Sequence, residues 1–211
     1  MSFPAEAVER LLYRDTTGDK EVVYSWSVEQ HKEAVTIRVE KNDTTFVNEC
    51  RVNGETLAWS KNSTDSEVKA YLDGGMLRVA GRSKGKELDR SVDLKGLPWL
   101  QPFSYSLPRI VSPGGETIVF WTIRPDTLEP VKLRAEFKGG QRLEINGEMV
   151  QAFKIRVTPP GALSMFWHGD YWYRDEDARF LRYEGRSGPP GAPMTMVTFL
   201  EEAQCKEKEK G

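Results

Sequence analysis

The chain has 211 residues, of which 38% are hydrophobic and 29% charged, with a formal net charge of −2. That length suits one large all-β domain, and the apolar fraction sustains a core and excludes wholesale disorder. The near-neutral charge excludes the clustered excess of Lys and Arg that a nucleic-acid footprint needs.

The N-terminus, Met1–Tyr13, has neither the basic start nor the apolar stretch of a signal peptide, and no run approaches the length of a transmembrane helix. The expectation is a soluble, cytoplasmic protein, or a periplasmic one if a leader has been removed. Ser2–Leu12 is expected to form a short helix: Ser2 suits a cap, Pro4 a first turn, and Val8, Leu11 and Leu12 fall on one face.

From Val22 the period becomes two. Val22, Tyr24, Trp26 and Val28 point one way, with Val23, Ser25, Ser27 and Glu29 opposite; Val35, Ile37 and Val39 repeat the pattern. This alternation predicts strands with one buried and one wet face. Asn42-Asp43 turns the chain into Thr45–Val52, and Asn53-Gly54 turns it again, a pair suited to the positive φ of a type I′ turn. Leu57–Ser60, Glu67–Leu72, Met76–Ala80 and Glu87–Leu94 continue the meander. The most basic run, Arg78 to Lys95, also holds Glu87, Asp89 and Asp93. It reads as a solvated hairpin, with a phosphate or lipid-headgroup patch as the alternative.

Leu97–Gly115 interrupts the strands with Pro98, Pro102, Pro108 and Pro113. Four prolines forbid a central strand. Trp99, Leu100 and Phe103 allow a turn or two of helix before Pro108, and so apolar a connector is expected to pack onto the sheet. Pro98–Leu107 is thus expected as a short helix or plug on the concave side.

Thr117–Arg124 is apolar on both sides and reads as a central strand. Val131, Leu133, Ala135 and Phe137 oppose Lys132, Arg134, Glu136 and Lys138 in an amphipathic strand. Gly139-Gly140, like Gly74-Gly75, reads as a hairpin turn. Gln141–Ile145, Asn146-Gly147 and Glu148–Thr158 follow, then Pro159-Pro160-Gly161 and Leu163–Trp167. In Phe166–Gly185, aromatic runs Tyr171–Tyr173 and Phe180–Tyr183 flank a charged cluster, a hairpin signal. Gly185–Pro193 is a loop, Thr195–Leu200 a last strand and Glu201–Gly211 a charged tail. The fold class is mostly all-β: one highly curved antiparallel meander sheet, a half-barrel or barrel with one or two short helices, in a single domain over residues 1–200.

The paired strands, the Pro-broken connector Leu97–Arg109, Phe120-Trp121…Asp126…Pro130-Val131, Ile145-Asn146-Gly147 and Tyr171-Trp172-Tyr173…Arg179-Phe180-Leu181-Arg182-Tyr183 come in a familiar order. This order resembles a bacterial family of unknown function related in shape to the periplasmic lipoprotein carriers of the LolA/LolB type. The resemblance implies a strongly curved sheet wrapping short helices and, as in several members, an acyl chain in the concave face. It implies no catalytic residues. Those carriers are exported, whereas no leader or lipid-attachment cysteine stands near Met1.

Chemistry-bearing motifs are sparse. His168 and Asp170 could pair as base and orienter or as metal ligands, but the other histidine, His31, is distant in sequence, and turn or hydrogen-bonding roles fit better. Asp175, Glu176 and Asp177 are consecutive at a hairpin tip, so they do not face each other across a cleft as glycosidase carboxylates must. No serine sits in a nucleophile elbow and no glycine pair has P-loop spacing. Cys50 reads as a buried free thiol; Cys205 lies in the tail, and a bridge between them is open.

The candidate ligand-binding residues are therefore aromatic: Trp26, Trp99, Phe103, Trp121, Trp167, Trp172 and Tyr183. They line a pocket or simply form core. Core is the usual answer for aromatics on strand faces, and what lifts the pocket reading is supply: about thirteen strands in one curled sheet enclose more volume than one short connector fills. The leading expectation is a non-enzymatic module without cofactor or metal that takes an apolar small molecule or lipid. The alternatives are a protein-interaction or structural domain with a filled core, and then an enzyme.

Overall fold

The computed structural model describes residues 8–161, 164, 167–186 and 193–203. β1 (Val8–Thr17) and β2 (Lys20–Gln30) form the first hairpin, followed by β3 (Ala34–Lys41) and β4 (Thr44–Arg51). β5 (Thr56–Ser63), β6 (Ser66–Asp73), β7 (Met76–Ser83) and β8 (Lys86–Asp93) extend the meander to the helix α1 (Phe103–Ile110). The second half comprises β9 (Ile118–Ile123), β10 (Pro130–Ile145), β11 (Glu148–Thr158), β12 (Gly169–Arg174), β13 (Phe180–Arg186) and β14 (Met194–Glu202).

Among the described residues all 14 strands belong to one antiparallel sheet, ordered β8 back to β1 and then β14 back to β9. The two half-meanders meet where β1 pairs with β14, placing Tyr13 opposite Phe199. The sheet curls without closing: β8 and β9 are its ends and share no ladder.

Val8–Leu12, expected to end a helix, lies in β1, while residues 2–7 fall outside the described residues. Leu11 and Tyr13 satisfy a strand period as well as Val8, Leu11 and Leu12 satisfy a helical one. Ladders on both sides, to β2 and β14, decide for the strand.

The strand expected at the centre of the sheet, β9, is an end strand. Its free edge is covered by the connector instead. Trp99 bridges Trp121 in parallel, the Leu100 N–H donates to the Trp121 carbonyl at 2.9 Å, and the Trp121 N–H donates to the Pro98 carbonyl at 2.9 Å. The Gln101 side chain then pairs with Ile123 as a strand backbone would. Its Oε1 accepts from the Ile123 N–H at 2.9 Å and its Nε2 donates to the Ile123 carbonyl at 2.8 Å.

Pro98–Leu100 is therefore extended, and helix begins only at Phe103. It also runs past Pro108, where it was expected to stop. Pro108 has no N–H to offer the Ser104 carbonyl, and the helix ends two residues later, with the Val111 N–H donating to the Leu107 carbonyl at 2.9 Å. As expected, α1 packs on the inner face: Leu107 joins the main core and Tyr105 packs with Val35, Ile37 and Cys50. The Tyr173 hydroxyl donates to the Phe103 carbonyl at 2.9 Å. Beneath the helix lies Gly54, where a Cβ would stand 2.9 Å from the Ser106 carbonyl oxygen. Asn53-Gly54 is not the tight turn expected. Only Gly54 has positive φ, and the loop makes room for α1; both Asn146 and Gly147 have the positive φ of a type I′ turn.

Gly139-Gly140 is not a hairpin turn either. Both residues lie inside β10, where the register with β11 shifts between Phe137 and Gly139. This bulge, with Gly139 at φ +101°, bends the ribbon. Past the bend, Asn146 donates to the Phe199 and Leu200 carbonyls, and Leu143, Ile145 and Ala152 cover Trp172 and Leu181 on the outer face. Cys50 is a buried free thiol whose pKa burial pushes up to about 12; Cys205 is outside the described residues.

Candidate functional site

The curl leaves a cavity of about 1190 Å³ on the inner face. Strand alternation delivers its lining. Tyr24 and Trp26 come from β2, Val39 from β3, Phe46 and Asn48 from β4, and Trp59 from β5. The opposite wall is Tyr171 from β12, Phe180 and Tyr183 from β13, and Val197 from β14. Phe103, at the start of α1, forms one boundary, and the sheet end formed by β9 and β10 forms another. The rings brace each other along the walls: Tyr171 and Tyr183 have centroids 4.8 Å apart, Trp26 stacks near Phe180 at 6.1 Å, and Phe103 meets Tyr171 edge-on at 5.7 Å. Such offset and edge-to-face pairs hold rings in fixed orientations.

Of the residues singled out from the sequence, Trp26, Phe103, Trp121, Trp167 and Tyr183 line this cavity. Trp99 and Trp172 do not. Trp99, 1% exposed, fills the junction between β5–β8 and β9, and its indole N–H donates to Gln101 Oε1 at 3.2 Å. Trp172 lies one residue out of phase with Tyr171 and Tyr173, so it sits on the outer face beneath the Leu143–Ala152 cluster. Tyr24, Phe46, Trp59, Tyr171 and Phe180 are lining residues that sequence reasoning did not select as ligand contacts. Parity was the available signal: Tyr24 stands two residues from Trp26, and Tyr171 two from Tyr173.

Polar groups are few and mostly committed. Asn48 donates to the Ile37 carbonyl at 3.3 Å, and Gln101 is occupied by Ile123 and Trp99. Burial pushes the Tyr171 hydroxyl well above its ordinary pKa and Tyr183 up to about 12, so both remain neutral O–H groups in the wall. The exposed lining residues Arg124, Pro125, Asp126, Pro160 and Arg186 mark the rim. There Arg124 grips Asp126 at 3.1 and 2.6 Å. Partial burial alone would raise the Asp126 pKa, but the hydrogen bonds and charge of Arg124 hold it below the usual carboxylate range. Lys132 Nζ lies 4.9 Å above the Trp121 ring.

The other candidates are structural. Asp170 faces outward and accepts both nitrogens of Arg156, at 2.7 and 2.8 Å, with Lys154 3.5 Å away. Burial works to raise its pKa, yet Arg156 and Lys154 keep it depressed, so its carboxylate is already committed and His168 is exposed. Asp177 clamps Arg174 within the hairpin turn, with Asp175 and Glu176 beside it. Among the described residues no group of three or more His, Cys, Asp or Glu could hold a metal ion. The run Arg78–Lys95 is a solvated hairpin in which Arg78 pairs with Asp73 at 2.8 Å and Arg82 with Glu87 at 3.9 Å. No described helix is long and apolar enough to cross a membrane.

No family model and no curated protein matches the chain. Among solved structures, the hypothetical lipoprotein YmcC from Escherichia coli is 11% identical, aligned over 96% of this chain and 91% of that one, with a TM-score of 0.39. A DUF1329 family protein from Desulfovibrio piger is 8% identical over 96% of this chain and 88% of that one, with a TM-score of 0.33. A LolA superfamily protein from Nitrosomonas europaea is 10% identical over 100% of this chain and 91% of that one, with a TM-score of 0.25. The last of these bears the name of the group that the order of parts along the sequence resembles. At such scores and identities the likeness assigns no function.

Proposed function

We propose that the protein is a non-enzymatic binding module that holds an apolar, acyl-type ligand in the concave face of its sheet. One observation supports this above all: a cavity of about 1190 Å³ walled mainly by aromatic and aliphatic side chains, among whose few polar groups Asn48 and Gln101 are already held by backbone partners. Sites for drug-sized molecules occupy about 300–1,000 Å³, so the space suits a long flexible chain better than a compact polar metabolite. Each methylene buried there contributes about 0.8 kcal/mol. Trp26, Phe103, Trp121, Trp167 and Tyr183 are the proposed contacts, with Trp99 and Trp172 supporting the walls from behind.

Native mass spectrometry of protein purified from cells without detergent tests the reading. The expected result is an added mass corresponding to a lipid, which disappears in Val39→Trp, a substitution that fills the cavity from β3. The circular dichroism of that variant checks that its strands remain. A wild-type protein that carries no lipid and also fails to bind a fluorescent acyl probe at one site overturns the proposal.

A further inference from the structure

We infer that the ligand of this cavity carries an anionic head, held at the rim by Lys132. The inference rests on the acyl reading above and adds the chemistry of the other end of the molecule. The whole chain is slightly acidic, with a net charge of −2, yet among the described residues the charged ones lining the cavity are Arg124, Lys132 and Arg186 against the single carboxylate of Asp126. Arg124 neutralises that carboxylate through two hydrogen bonds.

Lys132 is differently placed. It stands on the polar side of the β10 alternation, directly across the ladder from Trp121. Because β9 and β10 form the end of the sheet, this side chain lines the cavity as well. Its ammonium lies over the Trp121 ring, and among the described residues no carboxylate pairs with it. A ring face attracts a cation but leaves its charge uncompensated. A half-buried cation at the mouth of an apolar space is the complement of an amphiphile whose chain lies inward and whose negative head stops at the rim. Partial exclusion of water there strengthens the pairing. A fatty-acid carboxylate and a lipid phosphate share this chemistry.

Displacement of a bound fluorescent acyl probe by four chain-matched competitors tests the inference: palmitate, methyl palmitate, palmitoyl lysophosphatidylglycerol and palmitoyl lysophosphatidylcholine. At least one anionic competitor is expected to act at about tenfold lower concentration than its neutral or zwitterionic counterpart, the size of one charge-assisted contact. That gap should narrow with added salt and close in Lys132→Met, while persisting in Lys84→Met, which removes a cation from the β7–β8 turn. Preference for palmitate alone assigns a free fatty acid, and preference for the lysophosphatidylglycerol alone assigns a phosphate head. Equal displacement by all four overturns the anionic head and leaves the acyl site standing. A gap that survives Lys132→Met overturns the role of Lys132. Failure of the probe itself to bind defeats the acyl reading beneath both.

Discussion

The two halves of the sheet bury their inner faces in different ways. Strands β3–β8 are eight residues each, and much of their buried face is aliphatic: Val35, Ile37, Val68, Ala70, Leu77 and Val79. Strands β9–β14 run from six to sixteen residues and turn Phe120, Phe153, Tyr171, Tyr173, Phe180 and Tyr183 inward. The aliphatic wall closes onto Trp99 and Leu94 at β6 and β7 and onto Tyr105 of α1 at β3. The aromatic wall stands on its own contacts, such as Tyr173 to Phe180 at 5.9 Å and Phe153 to Tyr173 at 5.5 Å. Rings that lean on one another along a wall do not have to meet across it. A rich supply of aromatic residues, not a shortage of core, is what accompanies open space here.

The sharpest way to break this contrast is at the junction of the two halves. Trp99→Ala removes a ring that is 1% exposed, and it is expected to lower the unfolding free energy by about 3–5 kcal/mol. The urea midpoint reads this directly, and a shift equivalent to less than about 1 kcal/mol would show that the sheet ends are not held there. Next comes the support of α1 by the first half. Gly54→Ala forces a Cβ to 2.9 Å from the Ser106 carbonyl at a φ of +95°, at an expected cost of about 1–3 kcal/mol. A melting curve identical to wild type would mean that the helix yields freely.

The smallest effect belongs to the outer face of the second half. The pKa of Asp170 is held below its unfolded value of about 3.9. Its contribution to stability is therefore fully present above that value and is lost as pH falls through the lower, folded one. Asp170→Asn is expected to lose about 1–2 kcal/mol at neutral pH, and the difference from wild type should shrink steadily in acid. A gap that stays constant with pH would assign the loss to packing instead of charge.

Much of the wall was legible because its rule is local. Period two placed Val35, Ile37 and Val39 on one face, and Tyr24 and Trp26 together, without knowledge of any partner strand. What escaped was decided by distant contacts. Val8–Leu12 fits two periods equally, and pairing with β2 and with β14, the latter nearly two hundred residues away in sequence for Leu11 and Glu202, selects the strand. The glycines at Gly139 and Gly140 look like a turn until β11 is seen to continue past them. For the site, parity could have removed Trp172 from the lining, since it is out of phase with its two tyrosine neighbours. Trp99 could not be assigned that way, because a connector has no period, and the edge of β9 that it covers is defined only after the sheet has curled.

A closed barrel has its circumference set by strand number and stagger. Here the last rung is missing: the two ends of the sheet are tied through Trp121 Nε1 of β9 to the carbonyl of Leu94, just past β8, at 3.2 Å and through Arg90 of β8 to the carbonyl of Leu128, in the turn after β9, at 3.1 Å, while Thr56 N–H of β5 holds the connector at Trp99 O at 2.9 Å. Such a clasp takes up slack that a complete ring of ladders cannot. A small change of twist, shared along the sheet, would alter the girth of the chamber while every strand keeps its neighbours.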